Sequence, residues 1–375
     1  MAKPRLLFFF NGLPEYEALF AIARRLLERG KVEPVCLSPS EALRREPRLK
    51  PMIAASGLGV TARPSRWIKL FPKRWLRKGD AAITMVDPTM DNSPTRPRSL
   101  AMLDLGMPTI FVQHGVMQGK LNLASDPRDI HYASRLLLTF EDLIIPEILS
   151  EETRRKVRKV GFIKPLLFSP RPPMGALPDH DRAILFCHSF RWAGRYGEED
   201  VARFYDLVDR FARNRPDALI IIRSHRGKSR ALYKAHDRAL SELPNVVFSH
   251  AYKGPLRGMS MTDVLGLVDM CVSTASTAVL DSVYMGKPTA IYENDQPVFS
   301  ELPNIDGLES LEAFFDAPEA ADIAAVHAHY GDVGESIERA CTAIEKAMQN
   351  MTRSGSPPSA RSGWARTRGS VAHIR

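Results

Sequence analysis

The chain has 375 residues, 44% of them hydrophobic, which is enough for two domains with separate cores. Its formal charge is +9, but residues 351–375 hold five arginines and no acid, so the rest of the chain carries only +4. This distribution, and the lack of any nucleic-acid recognition motif, argue against a specific nucleic-acid-binding protein. No stretch approaches the roughly 18 apolar residues that a membrane-spanning helix needs.

Short apolar runs alternate with helical patterns along the chain, which is typical of parallel, doubly wound sheets. A proline-rich crossing at 164–173 is typical of an interdomain linker. We therefore predict an α/β protein with an N-terminal domain at 1–165, a linker at 166–180, a second domain at 181–350 and a disordered basic tail at 351–375. The predicted strands are 6–10, 34–37, 81–86, 109–113, 136–139, 183–188, 219–224, 245–248, 270–273 and 289–292, and the first helix is 15–29.

The N-terminus and the cysteines indicate the compartment. The run 6–10 is short and fits a first buried strand better than a signal peptide. Cys36, Cys187 and Cys271 fall within apolar strand-like runs, and with Cys341 they form no metal-type spacing, which favours buried thiols in a reducing compartment. We expect a cytoplasmic protein that could lie peripherally on the inner face of the membrane.

The loop 11–15 joins the first strand to the first helix and places Glu15 near the predicted interdomain cleft. A carboxylate there could act as a general base, and Asp87, Asp91 and His114 are the other candidates for this role. The alternative is structural, because an acid is favoured in the first turn of any helix.

A basic aromatic segment runs from Arg66 to Lys78, with six cations and no acid among tryptophan, phenylalanine, leucine and isoleucine. Such a segment can insert aromatic rings into a membrane interface while its cations meet anionic lipids. Pro72 argues against one uninterrupted helix, and an ordinary domain surface is the alternative.

Residues 108–120 form an apolar strand followed by a loop that contains His114, Gly115, Gly119 and Lys120. The glycines permit a close backbone approach or a positive φ, and His114 lies at the carboxyl end of the strand, where α/β sheets bind ligands. A satisfied structural histidine is the alternative.

The apolar run 219–222 leads directly into Arg223, Ser224 and His225, with further basic residues up to Arg230. Cations at a strand end suit a phosphate-rich ligand. A solvated charge run is the alternative.

The most informative stretch is 273–292: a strand end, a hydroxyl-rich turn with Ser273, Thr274, Ser276 and Thr277, a helix that carries Asp281, and a second strand. Hydroxyl groups and the backbone NH groups of a helix start can bind a phosphate, and Asp281 could accept a hydrogen bond from a ribose or sugar hydroxyl. The same hydroxyls would serve equally well as helix caps.

The stretch 273–292 resembles the donor-binding element of GT-B-type glycosyltransferases, in which a small-residue turn, a helix with an acid, a Gly-x-Pro and a strand occur in this order. Asp295 and Gln296 resemble the acid-amide pair with which some of these enzymes hold the donor sugar. The resemblance implies two Rossmann-like domains that face a cleft, with the donor on the second domain.

The His-Gly loop resembles that of bacterial capsule and teichoic-acid transferases, which use CDP-glycerol or CMP-activated acidic sugars. In the glycerophosphotransferase pattern the lysine stands one residue nearer to His-Gly than Lys120 does. Related transferases carry His-Pro where this chain has His225 followed by Arg226.

These resemblances imply a glycosyltransferase that uses a CMP, CDP or UDP donor and a cell-surface glycan or lipid-linked acceptor. Polyol-phosphate transfer and nucleotide-sugar binding without turnover are the alternatives. His114, Glu15 and His225 are the candidate catalytic residues, and Gly115 and Lys120 the candidate acceptor-loop residues. Asp87 and Asp91 do not form the Asp-x-Asp arrangement of many metal-dependent enzymes, so we expect metal-independent transfer without a cofactor.

Overall fold

The computed structural model describes residues 2–118, 120–121, 129–140, 146–190, 196–224, 234–249, 253–293, 299–319 and 323–353. Two wholly parallel sheets organise these residues. The first sheet has the strand order β3-β2-β1-β4-β5-β6-β7, in which the order reverses between β1 and β4. Its strands are β1 Arg5–Phe9, β2 Glu33–Pro39, β3 Val60–Arg63, β4 Ala81–Thr84, β5 Thr109–Val112, β6 Leu136–Thr139 and β7 Val157–Lys159.

The first sheet is apolar on both faces, as a doubly wound sheet must be. Leu6 and Phe8 pack into one core, whereas Leu7 and Phe9 pack into another on the opposite face. The helices of this half are α1 Leu13–Arg29, α2 Ser40–Arg45, α3 Leu49–Ser56, α4 Ser65–Leu70, α5 Pro72–Leu76, α6 Arg96–Asp104 and α7 Glu151–Lys156, with a 3-10 turn at Pro146–Ile148.

The second sheet repeats this arrangement with the order β10-β9-β8-β11-β12-β13. Its strands are β8 Arg182–His188, β9 Ala218–Ser224, β10 Val246–Phe248, β11 Met270–Ser273, β12 Thr289–Tyr292 and β13 Asn304–Ile305. Its helices are α8 Glu198–Asn214, α9 Lys234–Leu240, α10 Met261–Leu265, α11 Thr277–Val283, α12 Leu308–Asp316, α13 Ile323–Tyr330 and α14 Val333–Arg353.

The structure confirms the predicted pair of Rossmann-like domains. Each of the ten predicted strands forms, within two residues of its expected ends. The strands that sequence reasoning missed are β3, β7 and β13, which lie at sheet edges. Residues 160–181, which include the predicted linker 166–180, join the two sheets without a helix or strand.

The last helix crosses back to the first domain. Cys341, Ile344 and Met348 of α14 share a core with Ile22 and Leu26 of α1. Arg29 in the last turn of α1 also binds the Glu345 carboxylate, with Nε to Oε1 at 2.8 Å. Helix α14 continues to Arg353, so residues 351–353, which the sequence assigned to the tail, are helical. The predicted tail from 354 onward lies outside the described residues.

The four cysteines are buried free thiols. Among the helices that the structure describes, none combines the length and the apolar character needed to cross a membrane.

Candidate functional site

The loops after β1, β5, β9 and β11 all leave the carboxyl ends of their strands, the edge at which open α/β sheets bind ligands. They carry most of the residues that the sequence singled out. Three predicted site residues, His225, Asp295 and Gln296, and the loop residue Gly119 lie outside the described residues.

The His-Gly loop of the first domain contacts the hydroxyl turn of the second. The Val116 amide donates a hydrogen bond to Thr277 Oγ1 at 3.0 Å. Gly115 has no left-handed backbone, but a β-carbon at this position would lie 3.6 Å from the same Thr277 oxygen. Val116 and Met117 share a core with Ala275 and Val279. Two motifs that are 161 residues apart are therefore in direct contact.

A buried glutamine that the sequence counted as the end of a strand shapes the His-Gly loop. Gln113 Nε2 donates to the carbonyls of Gly115 at 2.8 Å and Val116 at 3.3 Å. Its Oε1 accepts from the Phe140 amide at 2.8 Å. These bonds attach the loop to β6 and fix the half-buried His114 at the sheet edge. The exposed Lys120 follows with φ 67°.

The four hydroxyl residues of the turn fall into two pairs. Ser273 and Thr274 are fully buried: Ser273 Oγ donates to the Thr274 carbonyl at 2.8 Å, and Thr274 Oγ1 accepts from the Ser189 amide at 3.2 Å. Ser276 and Thr277 are half-buried. Ser276 is the N-cap residue of α11, yet its side chain makes no capping hydrogen bond. The inner pair therefore stabilises the turn, and the Ser276 hydroxyl lies 3.2 Å from Ser273 Oγ instead of capping the helix.

Arg223 lies on β9, one residue before the end of the strand. Its Nη1 donates to Ser249 Oγ at 2.6 Å and to the Met259 carbonyl at 3.2 Å. Burial lowers the pKa of Arg223, while the charges of Glu17 and Asp281 oppose that change. The Arg223 guanidinium is thus an enclosed cation close to the carboxylates of Glu17 and Asp281.

Glu15 is held by a neighbour that the sequence did not single out. Asn11 Nδ2 donates to Glu15 Oε1 at 3.0 Å, and Arg98 Nη1 of α6 donates to Asn11 Oδ1 at 2.9 Å. Burial lowers the pKa of Arg98 to about 10, although the Glu15 and Asp91 charges oppose this change. Arg98 also stacks over Phe9, 4.1 Å from the ring centroid. The role of Arg98 has no signal in the sequence, because its contacts with Asn11 and Phe9 form only when α6 packs against the end of β1.

Asp87 and Asp91, the two other carboxylates considered for the general base, accept hydrogen bonds from nearby residues. Asp87 accepts from Thr89, Ala133 and Ser134, which joins two loops. Asp91 accepts from Ser93, Thr95 and Ser99. Burial alone would raise the pKa of Asp91, but these hydrogen bonds lower it. Both carboxylates therefore have structural roles in their loops.

Asp281 forms an interdomain ion pair. Lys164 Nζ, from the linker region, lies 2.9 Å from Asp281 Oδ1 and 3.7 Å from Glu17 Oε2 on α1. Burial opposes the charge on Lys164, but the two carboxylates raise its pKa overall. A cavity of about 330 Å³ opens beside this triad. Its other lining residues include Phe162, Met261 and Tyr284.

A second interdomain cluster lies around a fully buried aspartate. Arg48 Nη1 at the start of α3 binds Asp263 Oδ1 of α10 at 2.8 Å, and its Nε binds Glu46 at 2.8 Å. Arg171 Nε, from the linker, lies 3.1 Å from Asp263 Oδ2. Burial alone would raise the pKa of Asp263, but hydrogen bonds from Arg48 and Ser260 lower it. This cluster, which joins both domains and the linker, was not predicted from the sequence.

Solved structures similar to this chain share one fold. An enzyme from Listeria monocytogenes assigned as a UDP-N-acetylglucosamine 2-epimerase matches with a TM-score of 0.62 at 15% identity, covering 94% of this chain and 98% of the other. The UDP-GlcNAc 2-epimerase of Neisseria meningitidis, bound to UDP-GlcNAc, matches with 0.58 at 14% identity, covering 91% and 100%. The wall teichoic acid polymerase TagF, soaked with CDPG, matches with 0.53 at 10% identity, covering 93% and 89%.

These matches show that the chain has the GT-B fold, as the sequence predicted. Of these three structures, two are of enzymes assigned as 2-epimerases and one is of a polymerase; the Neisseria enzyme was solved with UDP-GlcNAc and the TagF polymerase after a soak with CDPG. No family model and no curated protein matches the chain.

Proposed function

We propose that this protein transfers a sugar from a nucleotide-activated donor to a cell-surface polysaccharide or a lipid-linked acceptor. The observation that carries the proposal is the direct contact between the His-Gly loop and the hydroxyl turn, through Val116 and Thr277. It brings the predicted acceptor and donor motifs to one place at the carboxyl edges of both sheets.

The second domain binds the donor in this proposal. Ser276 and Thr277 contact the phosphates, on a turn that Ser273 and Thr274 hold in shape. Arg223 and His225 offset the negative charge that grows on the leaving phosphate. Asp281, oriented by Lys164, accepts from a ribose or sugar hydroxyl. Asp295 and Gln296 hold the donor sugar.

The first domain presents the acceptor. Glu15, fixed by Asn11 in the neighbourhood of the Arg98 charge, removes the proton from the acceptor hydroxyl. His114 is the second candidate for this role, since Gln113 fixes its loop at the same edge. Gly115 permits the close approach of the two domains, and Lys120 lies farther along the acceptor loop.

Two other activities have specific support. Epimerisation of a nucleotide sugar is favoured by the higher TM-scores of the epimerase structures. Transfer of a polyol phosphate from a CDP-activated donor is favoured by the similarity to the TagF polymerase and by the His-Gly loop. Binding without turnover is the remaining alternative.

A donor panel separates these activities. Thermal shifts with CMP, CDP, UDP and GDP identify the nucleotide, because a ligand that binds only the folded state raises the melting temperature. We expect a cytidine nucleotide to give the largest shift. The matching activated sugar should then release free nucleotide slowly in water and faster with an acceptor glycan.

Each alternative predicts a different result in that panel. A 2-epimerase would invert carbon 2 of UDP-GlcNAc without an acceptor and without net nucleotide release. A polyol-phosphate transferase would release CMP only from a CDP-polyol. A pure binding protein would show a thermal shift and no release, which would contradict the proposed transferase.

A further inference from the structure

A basic surface on the first domain lies outside the proposed donor site. It is formed by α4 and α5, within the segment that the sequence singled out. All six cations of this segment are exposed, and no acid stands among them. They are Arg66, Lys69, Lys73, Arg74, Arg77 and Lys78.

The aromatic and aliphatic residues of the segment have two different environments. Trp75 is only 6% exposed and, with Ile68 and Leu76, packs against the sheet. Trp75 is therefore a core residue and cannot enter a lipid interface. Leu70 is 70% exposed, and Trp67 and Phe71 are each 45% exposed.

Helix α6 packs beside α5 and carries further exposed apolar side chains. Lys73 Nζ lies 3.1 Å from Asp104 Oδ2, which joins the start of α5 to the end of α6. Exposed leucines flank Asp104 on α6 and just after it, at positions 100, 103 and 105. Six of the large apolar side chains exposed in the described part of the chain thus lie on α4, α6 and the residues that adjoin them.

We propose that α4, α5 and α6 form a docking surface for an anionic lipid bilayer. Cations on the rim would meet lipid headgroups while Trp67, Leu70 and Phe71 enter the interface. A polynucleotide would satisfy the cations but leave the leucines in water. A second copy facing this surface would set its own cations against these six. An anionic bilayer matches both the charge and the apolar side chains.

Docking would also orient the proposed acceptor site. Helix α6 follows the carboxyl end of β4, and its Arg98 contacts Asn11 at the cleft while Leu100 and Leu103 are exposed. The lipid-facing surface and the acceptor side of the cleft therefore share one helix. This consequence rests on the proposed function, whereas lipid binding itself does not.

Vesicle co-sedimentation of the full chain tests the docking surface. The protein should bind vesicles of equal parts phosphatidylglycerol and phosphatidylcholine but not pure phosphatidylcholine. The combined change Arg66→Gln, Lys69→Gln and Arg77→Gln should lower the partition coefficient roughly a hundredfold, since each cation near an anionic surface contributes about fivefold. The combined change Trp67→Ser, Leu70→Ser and Phe71→Ser should abolish the binding that persists at high salt.

Two charge-changing variants serve as controls. Arg154→Gln, Arg210→Gln and Lys346→Gln remove three exposed cations from α7, α8 and α14 and should leave binding within about twofold of the unchanged protein, because these cations are not at the proposed surface. Replacing Arg361, Arg366, Arg368 and Arg375 by Gln tests the tail and should leave most of the binding.

Three results would overturn the proposal. The first is unchanged vesicle binding in the cation and apolar variants. The second is complete loss of binding in the tail variant alone. The third is loss of duplex-DNA binding in the cation variant while its vesicle binding persists, which would assign the surface to nucleic acid.

Discussion

At the scale of single residues, Ser276 is the best probe of the proposed donor site. It occupies the N-cap position of α11 but makes no capping bond with its side chain, so removing its hydroxyl should disturb the helix little. A phosphate that accepts a hydrogen bond from this hydroxyl would lose it, and bonds to charged groups contribute about 1.5 to 3 kcal/mol.

We therefore expect Ser276→Ala to weaken nucleotide binding about tenfold or more in calorimetric titration, with little change in melting temperature. Ser150→Ala is the matched control, because Ser150 does cap a helix by accepting from the Thr153 amide. It should lower stability by about 1 kcal/mol and leave nucleotide affinity unchanged. Unchanged affinity with a lowered melting temperature in Ser276→Ala would show that the turn is only a structural element.

Glu15 gives a second prediction at this scale. If its carboxylate is the general base, Glu15→Gln should lower kcat about a hundredfold or more while the donor Kd stays constant. Asn11→Ala should lower kcat less, because it frees the carboxylate without removing it. Retained kcat in Glu15→Gln, together with a large loss in His114→Gln, would assign the base to His114.

At the scale of elements, the central strands were predictable, and the three strands that the sequence did not predict all lie at sheet edges. Strands β5, β6 and β11 are buried along their whole length, so the sequence shows continuous apolar runs. The edge strand β7 reads Val-Arg-Lys and is mostly exposed, which leaves no such run. The edge strand β13, Asn304–Ile305, is only two residues long.

The site was predictable only in part, for a related physical reason. The hydroxyl turn and the His-Gly loop carry local signals, because each follows an apolar strand. The ion pairs around the site carry no local signal. Lys164 and Asp281 are 117 residues apart, and Arg48 and Asp263 are 215 residues apart. Such pairs depend on how the two domains meet, which no local pattern encodes.

The ion-paired group of Glu17, Lys164 and Asp281 predicts a specific dependence of stability on pH. Burial raises the pKa of Glu17 above its ordinary value of 4.5, against the opposing charge of Lys164. The folded state therefore binds more protons than the unfolded state between 4.5 and the raised pKa, so stability falls as pH rises through this window. Above the raised pKa the loss is complete.

Glu17→Gln removes this titration. Urea unfolding from pH 4.5 to 8 should show the free energy of unfolding of the variant rising relative to that of the unchanged protein as pH increases. Glu28→Gln, at an exposed position on the same helix, is the matched control. The prediction would be contradicted if the free energy of unfolding of Glu17→Gln, minus that of the unchanged protein, stayed constant with pH or fell towards pH 8.

At the scale of the whole molecule, the cluster around Asp263 joins both domains and the linker, and we expect it to hold the domains in one relative orientation. Arg48 comes from the first domain, Arg171 from the linker and Asp263 from the second. Removing one partner of a buried ion pair leaves an uncompensated charge and typically costs about 3 to 5 kcal/mol.

Arg48→Met should therefore destabilise the protein and broaden its distribution of domain orientations. Asp263→Asn should do the same, and the double variant should lose less stability than the two single changes together. Denaturant unfolding gives the coupling, and small-angle scattering should show a larger radius of gyration for Arg48→Met. Additive losses with an unchanged scattering profile would mean that the cluster does not set the domain arrangement.

The return of α14 to the first domain has a consequence for synthesis on the ribosome. The core that begins with β1 and α1 is completed by Cys341, Ile344 and Met348, so the domain made first stays unfinished until α14 has emerged. At about 5 to 20 residues per second, the apolar side of α1 waits roughly ten to forty seconds for its partner after the linker is made. During that interval the nascent first domain presents a surface that a ribosome-associated chaperone would recognise.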